Sequence, residues 1–248
     1  MNTDLEIYAI GIKNNLEIIH ERIEKATLFS GRKSSDVQLI TVSKKHALEV
    51  VQAAVIAGVK HFGENYPEEA VTKIKTIRED HADIKWHMIG HLQSRKAKLV
   101  VDNFHYMHSL DSVRLAKKMN RILIEKKKKL PILLEINVSG EESKSGWKAW
   151  ERRSWDDLAA DMEVLLTLPQ IRILGLMTMP PLFGDPEKSR PYFRKLRELK
   201  EYLSNRFPDG KWQELSMGTS ADFEIAIQEG ATFIRVGQAI LGPRPTKR

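Results

Sequence analysis

Lys44 is the residue whose position most directly suggests chemistry. It follows the apolar, β-branched run 37–43 and therefore stands where a buried strand should end. At such a point a lysine can be a surface charge or the partner of a carboxylate. Among apolar neighbours its ammonium form is disfavoured, and the neutral amine can attack an aldehyde. The position leaves both alternatives open, a surface charge or a Schiff-base nucleophile.

Two segments near the end of the chain carry residue types that bind phosphate. Residues 216–222 read Ser-Met-Gly-Thr-Ser-Ala-Asp, and Gly237 lies in the later segment 235–242. Hydroxyl groups, glycines that admit close backbone approach, and the helix start predicted from Thr219 and Asp222 all suit an anion. An ordinary capped helix explains the first segment equally well. Together the two segments favour a phosphate site.

Strand and helix patterns alternate along the rest of the chain. An amphipathic helix is predicted over residues 3–26. Strands are then predicted at 37–43, 59–63, 84–90, 106–109, 131–138, 171–177, 212–216 and 232–236. Helices are predicted at 46–57, 67–79, 94–102, 111–128, 155–167, 187–206 and 220–229, followed by a short apolar tail at 238–242.

This alternation requires parallel strands joined by right-handed crossovers. Eight such units fit the 248 residues as one closed barrel. We therefore predict an α/β protein, a single (β/α)8 TIM barrel with an extra N-terminal helix, spanning 1–248 as one domain. A doubly wound sheet is less favoured because no Gly-x-Gly-x-x-Gly follows the first strand.

A barrel of this kind gathers the candidate residues at one end. Side chains at the carboxyl ends of the strands face the active site, and the loops after the seventh and eighth strands often bind phosphate. Lys44 would then face the phosphate segments across the barrel mouth. This arrangement suits a ligand that carries both an aldehyde and a phosphate.

Composition narrows the remaining function classes. The sequence contains no cysteine, which excludes disulfides, thiolate metal sites and cysteine nucleophiles. It shows no signal-peptide pattern and no apolar run near the ~20 residues of a membrane span, so we expect a cytoplasmic protein without membrane association. The net charge of +7 favours anionic ligands. His87 and His91 are four apart on a strand leading into a loop, and no metal site is predicted.

A nucleic-acid-binding module remains a remote alternative. Three tryptophans, Trp147, Trp150 and Trp155, alternate with cations in the segment 147–155. Such a pattern can stack on bases, but packing against the barrel explains it better. No specific nucleic-acid partner is expected.

Ordered motifs across nearly the whole chain resemble those of the pyridoxal phosphate homeostasis proteins, whose barrel is similar to the first domain of alanine racemase. The matching segments are Val42-Ser43-Lys44, 62–66 (Phe-Gly-Glu-Asn-Tyr), 86–94, 108–111, 137–141 with Lys144 and Gly146, 175–177, 216–222 and 235–237.

The resemblance implies that pyridoxal 5′-phosphate is the cofactor and that Lys44 forms the internal aldimine with it. It places Ser216, Gly218, Thr219 and Gly237 in the phosphate-binding loops, Arg235 at the pyridine nitrogen and Asn65 near the cofactor. Three features depart from the family pattern: Gln238 replaces a small hydroxyl residue, Thr219 replaces a common methionine, and the segment 147–155 is longer.

Two functions fit this site, a noncatalytic carrier of the cofactor and an amino-acid racemase. An arginine at the pyridine nitrogen leaves the ring unprotonated and a weaker electron sink, which suits either function. Racemases that resemble this barrel also need a tyrosine from a second domain of a partner subunit. Since the sequence ends at Arg248, we expect no such domain, although Tyr66 is a possible internal substitute.

We therefore predict a carrier with no catalytic residues, serving vitamin B6 and amino-acid homeostasis. Its expected partners are pyridoxal phosphate and apo-enzymes that depend on it, and its expected state is a monomer or a weak homodimer.

Overall fold

The computed structural model describes residues 3–244 and shows a closed barrel of eight parallel strands. In chain order the strands are β1 (Gln38–Val42), β2 (His61–Glu64), β3 (Lys85–Met88), β4 (Tyr106–Leu110), β5 (Leu130–Asn137), β6 (Trp147–Lys148), β7 (Ile171–Met177), β8 (Glu214–Thr219) and β9 (Phe233–Val236). Every strand except β6 belongs to the barrel, which closes through the pairing of β9 with β1. The predicted (β/α)8 fold is confirmed.

Helices surround the barrel in the predicted order. They are α1 (Thr3–Phe29), α2 (Leu48–Ile56), α3 (Pro67–Asp80), α4 (Ala97–Asn103), α5 (Val113–Glu125), α6 (Trp155–Leu166), α7 (Arg190–Arg206), α8 (Phe223–Gln228) and α9 (Gln238–Leu241). The extra helix α1 buries the stripe Ile12, Leu16, Ile19 and Ile23, spaced three or four residues apart. It packs on α2, α8 and α9, so it braces the elements that follow β8 and β9.

The short strand β6 was not predicted. It pairs with the carboxyl end of β5, with Trp147 opposite Ile136. The Trp147 indole N–H donates to the Asp161 carboxylate at 2.8 Å, and Trp155 is buried. Both side chains therefore pack within the protein.

Strand β8 begins and ends later than predicted, at 214–219 rather than 212–216. Ser216, predicted as the last residue of this strand and the first of the phosphate-binding segment, consequently lies inside the strand. Gly218 has φ +92°, and a Cβ there would lie 2.6 Å from the Ala226 Cβ and 2.9 Å from the Phe223 Cα. The role of Gly218 in the fold is thus to let α8 pack closely on the strand.

The barrel interior combines a small apolar cluster with polar side chains. Ile40, Leu133, Met177 and Phe233 form that cluster, separate from the larger core between strands and helices. Within residues 3–244, none of the helices has both the length and the apolar character needed to cross a membrane.

Candidate functional site

A cavity of about 450 Å³ opens at the carboxyl ends of the barrel strands. Its ionisable lining residues are Lys44, Lys144, Asp222, Arg235 and Arg244. Its other lining residues are Val42, Asn65, Ile89, Met179, Pro180, Pro181, Leu182, Thr219, Ser220, Ala221, Gly237 and Gln238. Among the described residues, no tyrosine or histidine lines this cavity.

Lys44 lies in the cavity wall just after β1. Burial lowers the pKa of its amine, and the positive charges of Arg244, Lys45 and Arg235 lower it further. A depressed pKa increases the fraction of neutral amine at neutral pH, which is the nucleophilic form. The electrostatics therefore favour the nucleophile over the surface charge.

The turn that carries Lys44 is held on both sides. Before it, the Ser43 hydroxyl donates to the buried Glu64 carboxylate at 2.8 Å. After it, Lys45 adopts φ +63°, and its backbone N–H donates to Glu69 at 2.7 Å. A non-glycine residue in this region needs support from its surroundings. The turn thus has a defined conformation that places the amine in the cavity.

Lys73 ties these supports together from α3. Its ammonium donates to the Ser43 carbonyl at 3.0 Å, to Glu64 at 3.0 Å and to Glu69 at 2.6 Å. Burial raises the pKa of Glu64, and the Lys73 charge opposes that rise. Sequence reasoning did not identify Lys73, because the signal is spatial: an ammonium from a helix meets two carboxylates.

The loop after β3 comes very close to the backbone of Asn65 at Gly90. A Cβ at Gly90 would lie 2.6 Å from the Asn65 carbonyl oxygen and 2.7 Å from its Cα. Only glycine therefore lets the loop after β3 approach Asn65. The Asn65 side-chain oxygen is buried without a hydrogen-bond partner among the described residues, so it can accept from a bound ligand.

Arg235 projects from β9 into the barrel below the cavity. Nη1 donates to the Ser216 carbonyl at 2.9 Å and to its hydroxyl at 2.6 Å, while Nη2 donates to the Thr178 carbonyl at 2.9 Å. Burial lowers the pKa of Arg235 to about 10, which still leaves the guanidinium charged at neutral pH. These bonds fix a permanent donor at the cavity floor.

The segments after β8 and β9 form the other side of the cavity. Gly237 lies against Val42, and a Cβ there would lie 3.7 Å from Arg244 Nη2. Arg244 Nε is buried without a hydrogen-bond partner in residues 3–244. The Thr219 backbone N–H and hydroxyl both donate to the Asp222 carboxylate, at 2.7 and 3.0 Å. The free donors here therefore come from Arg244 more than from Thr219.

The structure brings five of the seven candidate residues into one cavity wall: Lys44, Asn65, Thr219, Arg235 and Gly237. Ser216 and Gly218 lie outside that wall, Ser216 beneath Arg235 and Gly218 against α8. Sequence reasoning missed Arg244 and did not single out Ser220 within the segment 216–222. No group of three or more metal-ligating side chains suited to an ion occurs within residues 3–244.

Comparison with known proteins identifies a family model and several relatives that are similar to this chain. The family model of the alanine racemase N-terminal domain matches residues 12–245. A pyridoxal phosphate homeostasis protein of Aquifex aeolicus is 38% identical over 229 residues, covering 92% of this chain and 96% of that protein. Its counterpart in Escherichia coli K12 is 35% identical over 234 residues, covering 94% and 97%.

Solved structures agree on the fold. PipY of Synechococcus elongatus, determined with pyridoxal phosphate (PLP) bound, has a TM-score of 0.78 and 37% identity, covering 90% of this chain and all of that one. An alanine racemase of Clostridium difficile has a TM-score of 0.64 at 16% identity, covering 96% of this chain and 58% of that one. The second likeness concerns the fold alone.

Proposed function

Since the chain belongs to the alanine racemase N-terminal domain family, with pyridoxal phosphate homeostasis proteins among its relatives, we propose that it binds pyridoxal 5′-phosphate reversibly and acts as a noncatalytic carrier. In this proposal residues 1–248 form one cofactor-binding domain. The observation that carries it is that one cavity is lined by Lys44, whose pKa is lowered, and by Arg235 and Arg244.

The residues present fit each end of this cofactor. When bound, the cofactor supplies an aldehyde with which a neutral amine condenses, releasing water, and Lys44 supplies that amine. Arg244, Ser220 and Gly237 line one side of the cavity and suit the phosphate, because a buried guanidinium N–H with no partner in residues 3–244 favours a dianion. Arg235 suits the ring nitrogen, because a permanent donor keeps that atom unprotonated.

The other candidate residues take supporting or secondary roles in this proposal. Ser216 holds Arg235 through its hydroxyl and its carbonyl. Gly218 gives α8 its close approach. Thr219 contributes to the cavity wall, and its bonds to Asp222 order the loop. Asn65 offers its unpartnered oxygen.

The cavity lining supports a carrier over a racemase. Racemisation needs a second acid or base on the face opposite the lysine. No tyrosine or histidine of the described residues lines the cavity, Tyr66 is 46% exposed outside it, and the lining carboxylate of Asp222 accepts from Thr219. Lys144 is the other lining group that can exchange a proton, and the racemase alternative would rest on it. A carrier needs only reversible capture and release, for which the lysine and its anion site are sufficient. Apo-enzymes that require the cofactor are the proposed recipients.

Two measurements test the proposal. Titration of the purified chain with pyridoxal phosphate should produce the visible absorption of a lysine-bound cofactor, and Lys44→Ala should fold but lack this absorption. The matched control is Lys45→Ala, which removes an exposed neighbouring lysine and should keep it. An absence of any visible band in the wild-type chain at saturating cofactor would end the proposal.

The carrier and racemase alternatives separate in deuterated water. The loaded protein is incubated with L-alanine, and both α-deuterium incorporation and D-alanine are followed. Since a missing general acid or base typically costs ~10²–10⁴ in rate, the carrier should show no turnover at ordinary enzymatic rates. Rapid inversion that Lys44→Ala abolishes would establish the racemase instead.

A further inference from the structure

Three histidines form a hydrogen-bonded line through the barrel, here called the histidine column. His61 Nδ1 lies 2.9 Å from His87 Nε2, and His87 Nδ1 lies 2.9 Å from His108 Nε2. His108 Nδ1 lies 2.9 Å from the Ser216 hydroxyl, which also accepts from Arg235 Nη1 at 2.6 Å. The column therefore ends on the arginine at the cavity floor.

Arg235 determines which atom donates and which accepts in every hydrogen bond of the column. A guanidinium only donates, so the Ser216 oxygen accepts from it and keeps its own hydrogen to donate. Among the described residues the only other partner of that hydroxyl is His108 Nδ1. A neutral imidazole has one donor and one acceptor nitrogen, so the His108 proton resides on Nε2 and is donated to His87. The same reasoning puts the His87 proton on Nε2, donated to His61.

The surroundings keep the column neutral and in place. Full burial lowers the pKa of both His87 and His108 well below the usual value, and the Arg235 charge lowers that of His108 further. The His87 ring stacks on Tyr106 with centroids 4.5 Å apart, and Phe233 meets the His108 ring edge to face at 5.0 Å. Because these rings are neutral and tightly packed, each keeps its proton on the same nitrogen and its ring in the same orientation.

The far end of the column reaches the other face of the barrel. His61 is the first residue of β2 and lines a depression shared with Tyr106 and Phe233, the first residues of β4 and β9. Lys44, by contrast, lies at the carboxyl ends of the strands. The column thus joins the amino-end depression to the cavity floor.

We propose that the histidine column is a positioning support for the cofactor site, which through one ordered chain of hydrogen bonds fixes the Ser216 hydroxyl and the Arg235 guanidinium at the cavity floor. What Arg235 faces there rests on the proposed function. The proton order itself is a property of the chain without any ligand. Imidazole orientation at the amino-end depression and donor orientation at the cavity floor are therefore mutually dependent.

The first test reads the imidazole protons directly in the unliganded chain. Nitrogen-15 chemical shifts from long-range proton–nitrogen spectra distinguish Nδ1–H from Nε2–H. All three column histidines should carry the proton on Nε2, and Ser216→Ala should disturb the signals as far away as His61. His105 is an internal reference, because its Nδ1 accepts from the Trp86 backbone N–H at 3.0 Å outside the column.

Controls make this test decisive. Tyr106→Phe keeps the stacking partner of His87 and should leave the tautomers unchanged. If Ser216→Ala does not fold, Arg235→Leu removes the same constraint from the other side. An Nδ1–H tautomer at any column histidine in the wild-type chain would overturn the proposal. So would His61 nitrogen shifts that stay unchanged in both Ser216→Ala and Arg235→Leu.

A matched pair of variants then separates positioning from packing. In His108→Asn the amide approximates the Nδ1 position and can still meet Ser216, whereas in His108→Gln it approximates Nε2 and loses Ser216. Each variant interrupts the column at one point, so positioning predicts faster loss of bound pyridoxal phosphate than in wild type for both. The loss should be about fivefold faster for His108→Gln than for His108→Asn, the effect of one ordinary hydrogen bond to Ser216. Packing alone predicts the reverse order, because asparagine removes more volume.

The two proposals can fail separately. If the wild-type chain binds no pyridoxal phosphate, the proposed function fails. The tautomer spectra then still show whether the histidine column has the proposed proton order. If the cofactor binds but both His108 variants retain it equally, the positioning role is wrong and the proposed function stands.

Discussion

Replacement of Arg244 by methionine should weaken binding of pyridoxal phosphate much more than binding of pyridoxal. Arg244 lines the cavity beside Gly237, and its Nε is buried without a partner in residues 3–244. Hydrogen bonds that involve a charged group contribute about 1.5–3 kcal/mol. Loss of the guanidinium should therefore raise the Kd for the phosphorylated ligand roughly tenfold to a hundredfold. Methionine keeps most of the side-chain length, so the cavity wall is retained.

The substitution also changes the lysine. The Arg244 charge lowers the pKa of Lys44, so its removal should raise that pKa and slow condensation with either aldehyde. Lys45→Met is the matched control, since Lys45 lowers the same pKa but is exposed and lies outside the cavity lining. The assay is an absorbance titration with both aldehydes for both variants. Equal losses for pyridoxal and pyridoxal phosphate, or a phosphate-specific loss in Lys45→Met, would refute the assignment of Arg244 to the phosphate.

Two further predictions concern stability. Gly90→Ala should lower the free energy of unfolding by about 1–3 kcal/mol, since the new methyl overlaps the Asn65 backbone, whereas Gly11→Ala in open space on α1 should raise it by up to about 1 kcal/mol. Urea unfolding measures both, and a neutral Gly90→Ala would contradict the close contact. Burial raises the pKa of Glu135 to about 7, so the folded state holds its proton more tightly than the unfolded chain does. Stability should therefore fall as the pH rises from about 4.5 to about 7 and then level off. Glu135→Gln should flatten this slope, and a slope identical in both proteins would disprove the shift.

Sequence periodicity was sufficient to predict the barrel. Parallel strands that are buried on both faces give apolar runs in the sequence, and amphipathic helices give apolar residues three or four positions apart. Lys44 was identifiable since it directly follows such a run. Strand ends were less well defined: Ser216 was expected at the end of its strand, but β8 continues to Thr219. That shift moves Ser216 from the phosphate segment to a place beneath Arg235.

Contacts between distant segments could not be predicted from one sequence. Arg244 reaches the cavity because the chain folds back after β9, and Lys73 meets Glu64 because α3 returns beside β2. The histidine column left only a weak signal, an imidazole at inward positions of three successive strands. Recognising it requires the register in which His61 pairs with Lys85 and His87 with Tyr106.

Borohydride reduction followed by peptide mapping locates the lysine to which the cofactor is attached. The chain is saturated with pyridoxal phosphate, reduced and digested, and the pyridoxyl group is located by mass spectrometry. We expect one pyridoxyl group per chain, on Lys44, and no stoichiometric labelling of any lysine in Lys44→Ala. A stoichiometric pyridoxyl group on Lys144, which lines the same cavity, or on the adjacent Lys45 would contradict this expectation.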